Sequence, residues 1–254
     1  MSTLRKNRSL PSVSFSDWGT VRTLHLGSEW VQGSMKISKP FEIELEYVQR
    51  MMAWLLLRGE EPLESCHAMQ LGLGAAALTK FCYKILRMRT TAIEINPQVV
   101  NACRAWFRLP DDDDRLRVVI GDAGAEIARA ERHATVDALQ VDLYDQEAAA
   151  PVIDSADFYA DCRAVLTDDG CMSVNLFGRD SRYEASVARI AAAFGEEAVW
   201  VFSPTREGNS IVLAQRRPTR PSPAELALRA ESIQTRHRLP ALKWLRVLKP
   251  LQGS

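Results

Sequence analysis

The residues with the most chemical potential fall at four short places between positions 72 and 145. Gly72-Leu73-Gly74 follows a short apolar run and precedes an alanine-rich one. Glycine lets the backbone turn sharply and lets a ligand approach the main chain, and a following helix offers unpaired N–H groups and a positive dipole end. Glu94 stands 22 residues after Gly72, where an acid typically accepts both hydroxyls of a ribose. Asp122 closes a third apolar run, in Gly121-Asp122-Ala123, and Asp142 and Asp145 close a fourth, in Asp142-Leu143-Tyr144-Asp145. Carboxylates so placed can take a proton or hold a cationic partner. Each has a plainer reading. Any strand-to-helix turn uses glycine, Glu94 and Asp122 can serve the N-termini of the helices after them, and Asp142 and Asp145 can be loop or capping acids. Recurrence at the carboxyl ends of successive strands, where α/β sheets bind ligands, exceeds what capping requires. Gly72, Gly74, Glu94 and Asp122 are therefore expected to hold an adenosyl-type ligand, with Asp142 and Asp145 facing a substrate beside it.

These positions need a scaffold of alternating strands and helices. Strands are expected over residues 67–71, 90–95, 117–120, 136–141 and 171–176, from short apolar runs bounded by turn residues. Between them come helices over 75–87, from Pro97 onward with a core face of Val99, Cys103 and Trp106, and over 158–166 before an Asp-Asp-Gly turn. Repeated units of this kind imply a parallel sheet covered on both faces. Residues 198–202 and 210–214 are two further strands with no helix between them, so they should pair antiparallel. Ahead of the sheet, residues 1–48 read as a small β-hairpin region leading into a helix over 42–58. The main domain spans 49–215. Residues 216–254 form a linker and a helical tail; its last stretch (239–251) fits an amphipathic membrane-surface or partner-binding helix, but a tail helix docked on the body is the favoured reading.

Bulk properties exclude several classes. The 254 residues are 46% hydrophobic and 25% charged, too apolar for disorder. Lysine plus arginine (32) balances aspartate plus glutamate (32), so no net basic character points to nucleic acid. Five scattered cysteines without a CxxC pair read as reduced core thiols rather than metal ligands. The longest apolar run, residues 51–57, is too short to span a membrane, and no apolar signal core follows the N-terminus. A cytoplasmic location is expected.

As a set, the segments LGLGAAALTK, AIEINPQVV, RLRVVIGDA, DLYDQ, DFYADCRAVLTDDG and SVNLFG resemble the spermidine synthase family, in particular its shorter spermidine synthase-like members. The resemblance runs from about Trp18 to Ala214. It implies a Rossmann-like methyltransferase fold, a mostly parallel sheet ending in an antiparallel strand pair, with a small N-terminal β-hairpin region. It implies aminopropyl transfer from decarboxylated S-adenosylmethionine to an amine, with no permanently bound cofactor and no metal. Gly72, Gly74, Glu94, Ile95, Asp122 and Ala123 form the implied cofactor-binding set, Glu94 on the ribose and Asp122-Ala123 on the adenine side. Asp142 matches the proton-accepting aspartate and Asp145 a second, acceptor-binding one. A homodimer and a small-molecule amine acceptor are further implications.

The chain also departs from that pattern. Ala75 stands where the family has a loop aspartate, Gln146 replaces a proline, and the N-terminal region looks shortened. The family's Tyr-His/Gln-Glu segment falls at about Glu44-Leu45-Glu46, where only the glutamate survives. Three other readings use the same residues: an S-adenosylmethionine-dependent methyltransferase, an NAD(P) enzyme satisfying the dinucleotide fingerprint with Gly72, Gly74 and Ala77, and a non-catalytic nucleoside-binding homologue.

Overall fold

The computed structural model describes residues 10–28, 31–59, 62–144 and 153–251. An N-terminal antiparallel sheet comes first, formed by β1 (Val13–Trp18), β2 (Val21–Leu26) and β3 (Val31–Lys36), paired in that order. The hairpin region expected from the sequence thus carries three strands. Gly19, at φ +59°, makes the tight turn between β1 and β2.

The single helix expected over 42–58 is α1 (Glu46–Arg50) followed by a 3-10 run, Met51–Leu56. All six residues of that run are buried. A segment apolar on every side has no solvent face, and its surroundings rather than a 3.6-residue period set its winding.

The main sheet begins at β4 (His67–Leu71), with the bounds read from the sequence. The expected helix over 75–87 is broken in two. Ala76 takes the left-handed conformation at φ +56°, α2 covers Ala77–Lys80, and a π turn follows at Phe81–Ile85. The widened turn takes three consecutive side chains, Phe81, Cys82 and Tyr83, into buried positions. Lys80 is buried with them, its Nζ donating to the Phe107 carbonyl at 2.7 Å, and burial brings its pKa down to about 8.

β5 (Arg89–Glu94), α3 (Pro97–Trp106), β6 (Leu116–Ile120), α4 (Ala123–Ile127) and β7 (Val136–Val141) complete the parallel part together with the first contact of β8 (Leu166–Phe177). Trp106, expected on the core face of α3, is exposed; the helix ends there and Phe107 takes the buried place. Trp106 lies instead over Phe15 of β1, ring centroids 4.9 Å apart. α5 (Ala156–Val165) starts from a Ser155 cap and stops as Leu166 enters β8.

After α6 (Tyr183–Phe194), β9 (Val199–Phe202) and β10 (Asn209–Gln215) pair antiparallel, as expected. α7 (Pro223–His237) opens on a Ser222–Glu225 capping box and buries Ala230 and Ile233. The tail is docked, but α8 (Ala241–Trp244) is short, and the chain then returns as β11 (Leu248–Pro250) beside β9. Among the described residues the main sheet runs β11-β9-β10-β8-β7-β4-β5-β6. Alternation along the strands supplies two apolar layers, with Ala68 and Ala138 facing one and Met69, Leu71, Leu139 and Val141 facing the other.

Candidate functional site

Parallel strand order reverses between β4 and β7: β5 and β6 lie on one side and β8 on the other. A crevice opens at such a switch point, outside the carboxyl ends of the strands. The expected residues converge there. Gly72 follows β4, Glu94 ends β5, Asp122 lies two residues beyond β6 and Asp142 directly follows β7.

The turns are held by the sheet itself. Gly72 N–H donates to the Ile93 carbonyl at 2.9 Å, Gly121 N–H to Glu94 at 2.9 Å and Asp142 N–H to Leu71 at 3.0 Å. Gly72 has φ +84°, and a β-carbon on it would run into the Asp142 carbonyl oxygen. No other residue type satisfies both conditions without moving the strand ends. The loop is pressed from the opposite side by β3. A β-carbon on Gly74 would lie 2.9 Å from the Gln32 carbonyl oxygen, and one on Gly33 would lie 2.7 Å from the Ala75 Cβ. Ala75 is only 2% exposed. The place of the family's loop aspartate is therefore filled by a methyl group packed against the N-terminal sheet. From below, Cys103 Sγ–H donates to the Gly74 carbonyl at 3.1 Å, and burial pushes this thiol up to about 12.

Glu94, 8% exposed, uses both oxygens on the backbone. Oε2 accepts from Leu73 N–H at 2.9 Å and Oε1 from Asn96 N–H at 2.8 Å. Burial raises its pKa, while the amides of Asn96, Leu73 and Ile95 oppose that rise. With three backbone amides directed at it, the carboxylate still keeps acceptor capacity for a ligand hydroxyl. Ile95 is 50% exposed beside it, an apolar surface suited to the flat face of a base. Asp122 is the N-cap of α4, its Oδ1 accepting from Ala125 N–H at 2.9 Å, and Ala123 is the first, buried residue of that helix. The plain reading of Asp122 is thus real, and Asp122 also stands at the edge where the other sites meet.

Asp142 is partly buried. Its Oδ1 accepts from Asn175 Nδ2 at 2.9 Å and its Oδ2 from the Tyr47 hydroxyl in a long bond of 3.4 Å. Burial raises its pKa against these two donors. Tyr144, next but one, donates its hydroxyl to the Asn175 carbonyl at 2.7 Å and packs edge-on against Phe177. Asp145 lies outside the described residues.

Tyr47, Asn175 and Gln32 were not singled out from the sequence. Tyr47 adjoins Glu46, the glutamate retained from the expected segment, which pairs with Arg50 at 2.5 Å. The tyrosine that reaches the acid therefore sits one position beyond that segment. Among the described residues no group of three or more His, Cys, Asp and Glu side chains is arranged to hold a metal.

The family model of the spermine/spermidine synthase domain matches residues 77–193. A polyamine aminopropyltransferase of Neisseria meningitidis serogroup A is 34% identical over 246 residues, covering 96% of this chain and 90% of the relative. Among solved structures, a probable spermidine synthase from Corynebacterium glutamicum superposes with a TM-score of 0.69 at 16% identity, covering 95% of this chain and 92% of that one. A spermidine synthase in complex with the transition-state analogue AdoDATO gives 0.66 at 13% identity, covering 94% and 83%. At these identities the two structures speak for the fold.

Proposed function

The chain belongs to the spermine/spermidine synthase family, the polyamine aminopropyltransferases, and on that premise we propose that it transfers an aminopropyl group from decarboxylated S-adenosylmethionine to a small amine. The observation that carries this reading is Asp142. It stands at the switch point next to the nucleoside set, with one oxygen held by Asn175 and the other turned to Tyr47. In the reaction the amine nitrogen forms a bond to the propyl carbon attached to the sulfonium. The carbon–sulfur bond breaks, its electron pair returns to sulfur, and methylthioadenosine leaves uncharged. The attacking amine must first give up a proton, and Asp142 accepts it or passes it to water.

In this reading the Gly72–Gly74 turn, Glu94, Ile95, Asp122 and Ala123 hold the adenosyl half of the co-substrate. Asp145 adds a second negative charge for the cationic acceptor. The reading includes a cytoplasmic homodimer acting on small amines, without nucleic acid, which the charge balance supports. No helix of the described residues is long and apolar enough to cross a membrane. The methyl group of Ala75, where the family has an acid, makes an ordinary diamine such as putrescine a poor acceptor here.

Incubation with decarboxylated S-adenosylmethionine and a panel of amines tests the reading, with methylthioadenosine followed by mass spectrometry. Methylthioadenosine should form with at least one amine, at less than about 1 per second with putrescine. Formation of S-adenosylhomocysteine from S-adenosylmethionine, with no methylthioadenosine from any amine, would overturn it in favour of methyl transfer.

A further inference from the structure

Asn175 lies near the carboxyl end of β8, two residues before Phe177, 4% exposed, with apolar Val174 and Leu176 on either side. Its side-chain amide makes two contacts. Nδ2 donates to Asp142 Oδ1 at 2.9 Å, and Oδ1 accepts from Asn209 Nδ2 at 3.1 Å. Asn209 is also buried, at the start of β10, and its backbone N–H is held by Thr205 Oγ1 at 3.2 Å. An asparagine amide has two orientations, distinguished by its partners. Turning Asn175 over would set its oxygen against the Asp142 carboxylate and its NH2 against the NH2 of Asn209. Asn209 therefore fixes which end of Asn175 faces the acid. The backbone of Asn175 is fixed as well, since its carbonyl accepts from the Tyr144 hydroxyl.

We infer that Asn175, oriented by Asn209, is a positioning residue that holds Asp142 Oδ1 and so fixes the carboxylate, with Oδ2, bound only by the long Tyr47 contact, as the more weakly held oxygen for the incoming amine. The inference rests on the aminopropyl-transfer reading for its catalytic meaning, but not for the geometry it asserts. A neutral amide donor stabilises the carboxylate form without adding a charge that would repel a cationic acceptor. The titratable side chains facing Asp142 among the described residues are Tyr47, from α1, and Tyr144, from the loop after β7; the glycine turn presents backbone. Both phenols are held above their ordinary range by burial first and by Asp142 second, so they stay protonated across the working pH. The proton affinity of Asp142 is then set by its burial, by Asn175 and, more weakly, by Tyr47.

The test uses Asn175→Leu, which removes the donor while keeping the branching at Cγ, and Asn209→Ala, which leaves Asn175 in place but frees its orientation. The Asp142 carboxyl carbon is titrated by NMR in protein labelled at aspartate, with Asp142→Asn identifying the signal. In parallel the acidic limb of kcat/KM against pH is measured. Loss of one hydrogen bond to the charged form should move the Asp142 midpoint up by about one pH unit in Asn175→Leu. Asn209→Ala should move it in the same direction by less, and the double variant should match Asn175→Leu rather than add. Methylthioadenosine affinity should stay within twofold throughout. An unmoved Asp142 midpoint in either folded single variant overturns the inference, as does strict additivity. If the wild-type protein makes no methylthioadenosine with any amine, the functional reading fails, and the NMR titration still decides the role of Asn175.

Discussion

Replacing Glu94 by glutamine changes one oxygen into an NH2 group at a side chain whose two oxygens already serve Leu73 N–H and Asn96 N–H. Whichever way the new amide turns, its NH2 faces one of those backbone donors. One buried amide is then left unpaired, at about 1–3 kcal/mol of stability. On the ribose assignment, the same substitution also cuts the acceptor capacity offered to the sugar hydroxyls. A hydrogen bond to a charged acceptor contributes about 1.5–3 kcal/mol, so methylthioadenosine should bind roughly 10- to 150-fold more weakly. Glu94→Ala should lose at least as much. Titration calorimetry with methylthioadenosine gives the affinity, and denaturant unfolding without ligand gives the stability term separately. A folded Glu94→Gln protein that binds the nucleoside within twofold of wild type would refute the ribose assignment, leaving Glu94 as a brace for the glycine turn.

Asp142→Asn keeps the size and removes the base, so methylthioadenosine affinity should persist while turnover falls about 100-fold or more; steady-state rates and calorimetry on one preparation check both. Ala75→Asp, which restores the acid expected from the family, puts a carboxylate at a site packed on Gly33, so urea unfolding should show a loss of about 2 kcal/mol or more, while the protein that does fold should use putrescine faster. A variant at wild-type stability would show that β3 yields easily there. His67 is buried, its Nδ1–H donating to the Thr135 carbonyl and its Nε2 accepting from Thr91, and burial brings its pKa down from 6.5 to about 4. Because the folded value is the lower one, the unfolded chain takes up the proton first, and stability held above about pH 6.5 is lost as pH falls toward 4. That contribution is about 2 kcal/mol between pH 7 and 5; His67→Gln should flatten the pH dependence of the unfolding midpoint by this amount, and an unchanged slope would count against it.

The parallel strands were legible because each is a short apolar run closed by a turn residue, and the bounds of β4 and β7 were read without error. Glu94, Asp122 and Asp142 followed, since an acid at the end of its own strand needs no tertiary information to be located. The two helices read across 42–58 and 75–87 were not resolved into their parts, because runs such as Met51–Leu56 are apolar on all sides and fit any period equally. Trp106 was misplaced for a related reason: its spacing from Cys103 suits a core face, and nothing local shows that Phe15 of β1 will be there to cover it outside.

The partners of Asp142 lie beyond local reading altogether. Tyr47 is 95 residues away in sequence and Asn175 is 33, and Asn175 in turn depends on Asn209, 34 residues further on. A lone asparagine inside SVNLF reads as an interruption of an apolar strand until the antiparallel return of β10 sets Ile211 opposite it and Asn209 within reach. Burying two amides in a strand pair is costly unless each is satisfied, so their presence calls for a partner that a hydrophobic pair would not serve. That partner is the carboxylate at the end of β7. The antiparallel end of the sheet therefore does more than close the fold: it carries Asn175 and Asn209, the amides that hold the acid at the end of β7.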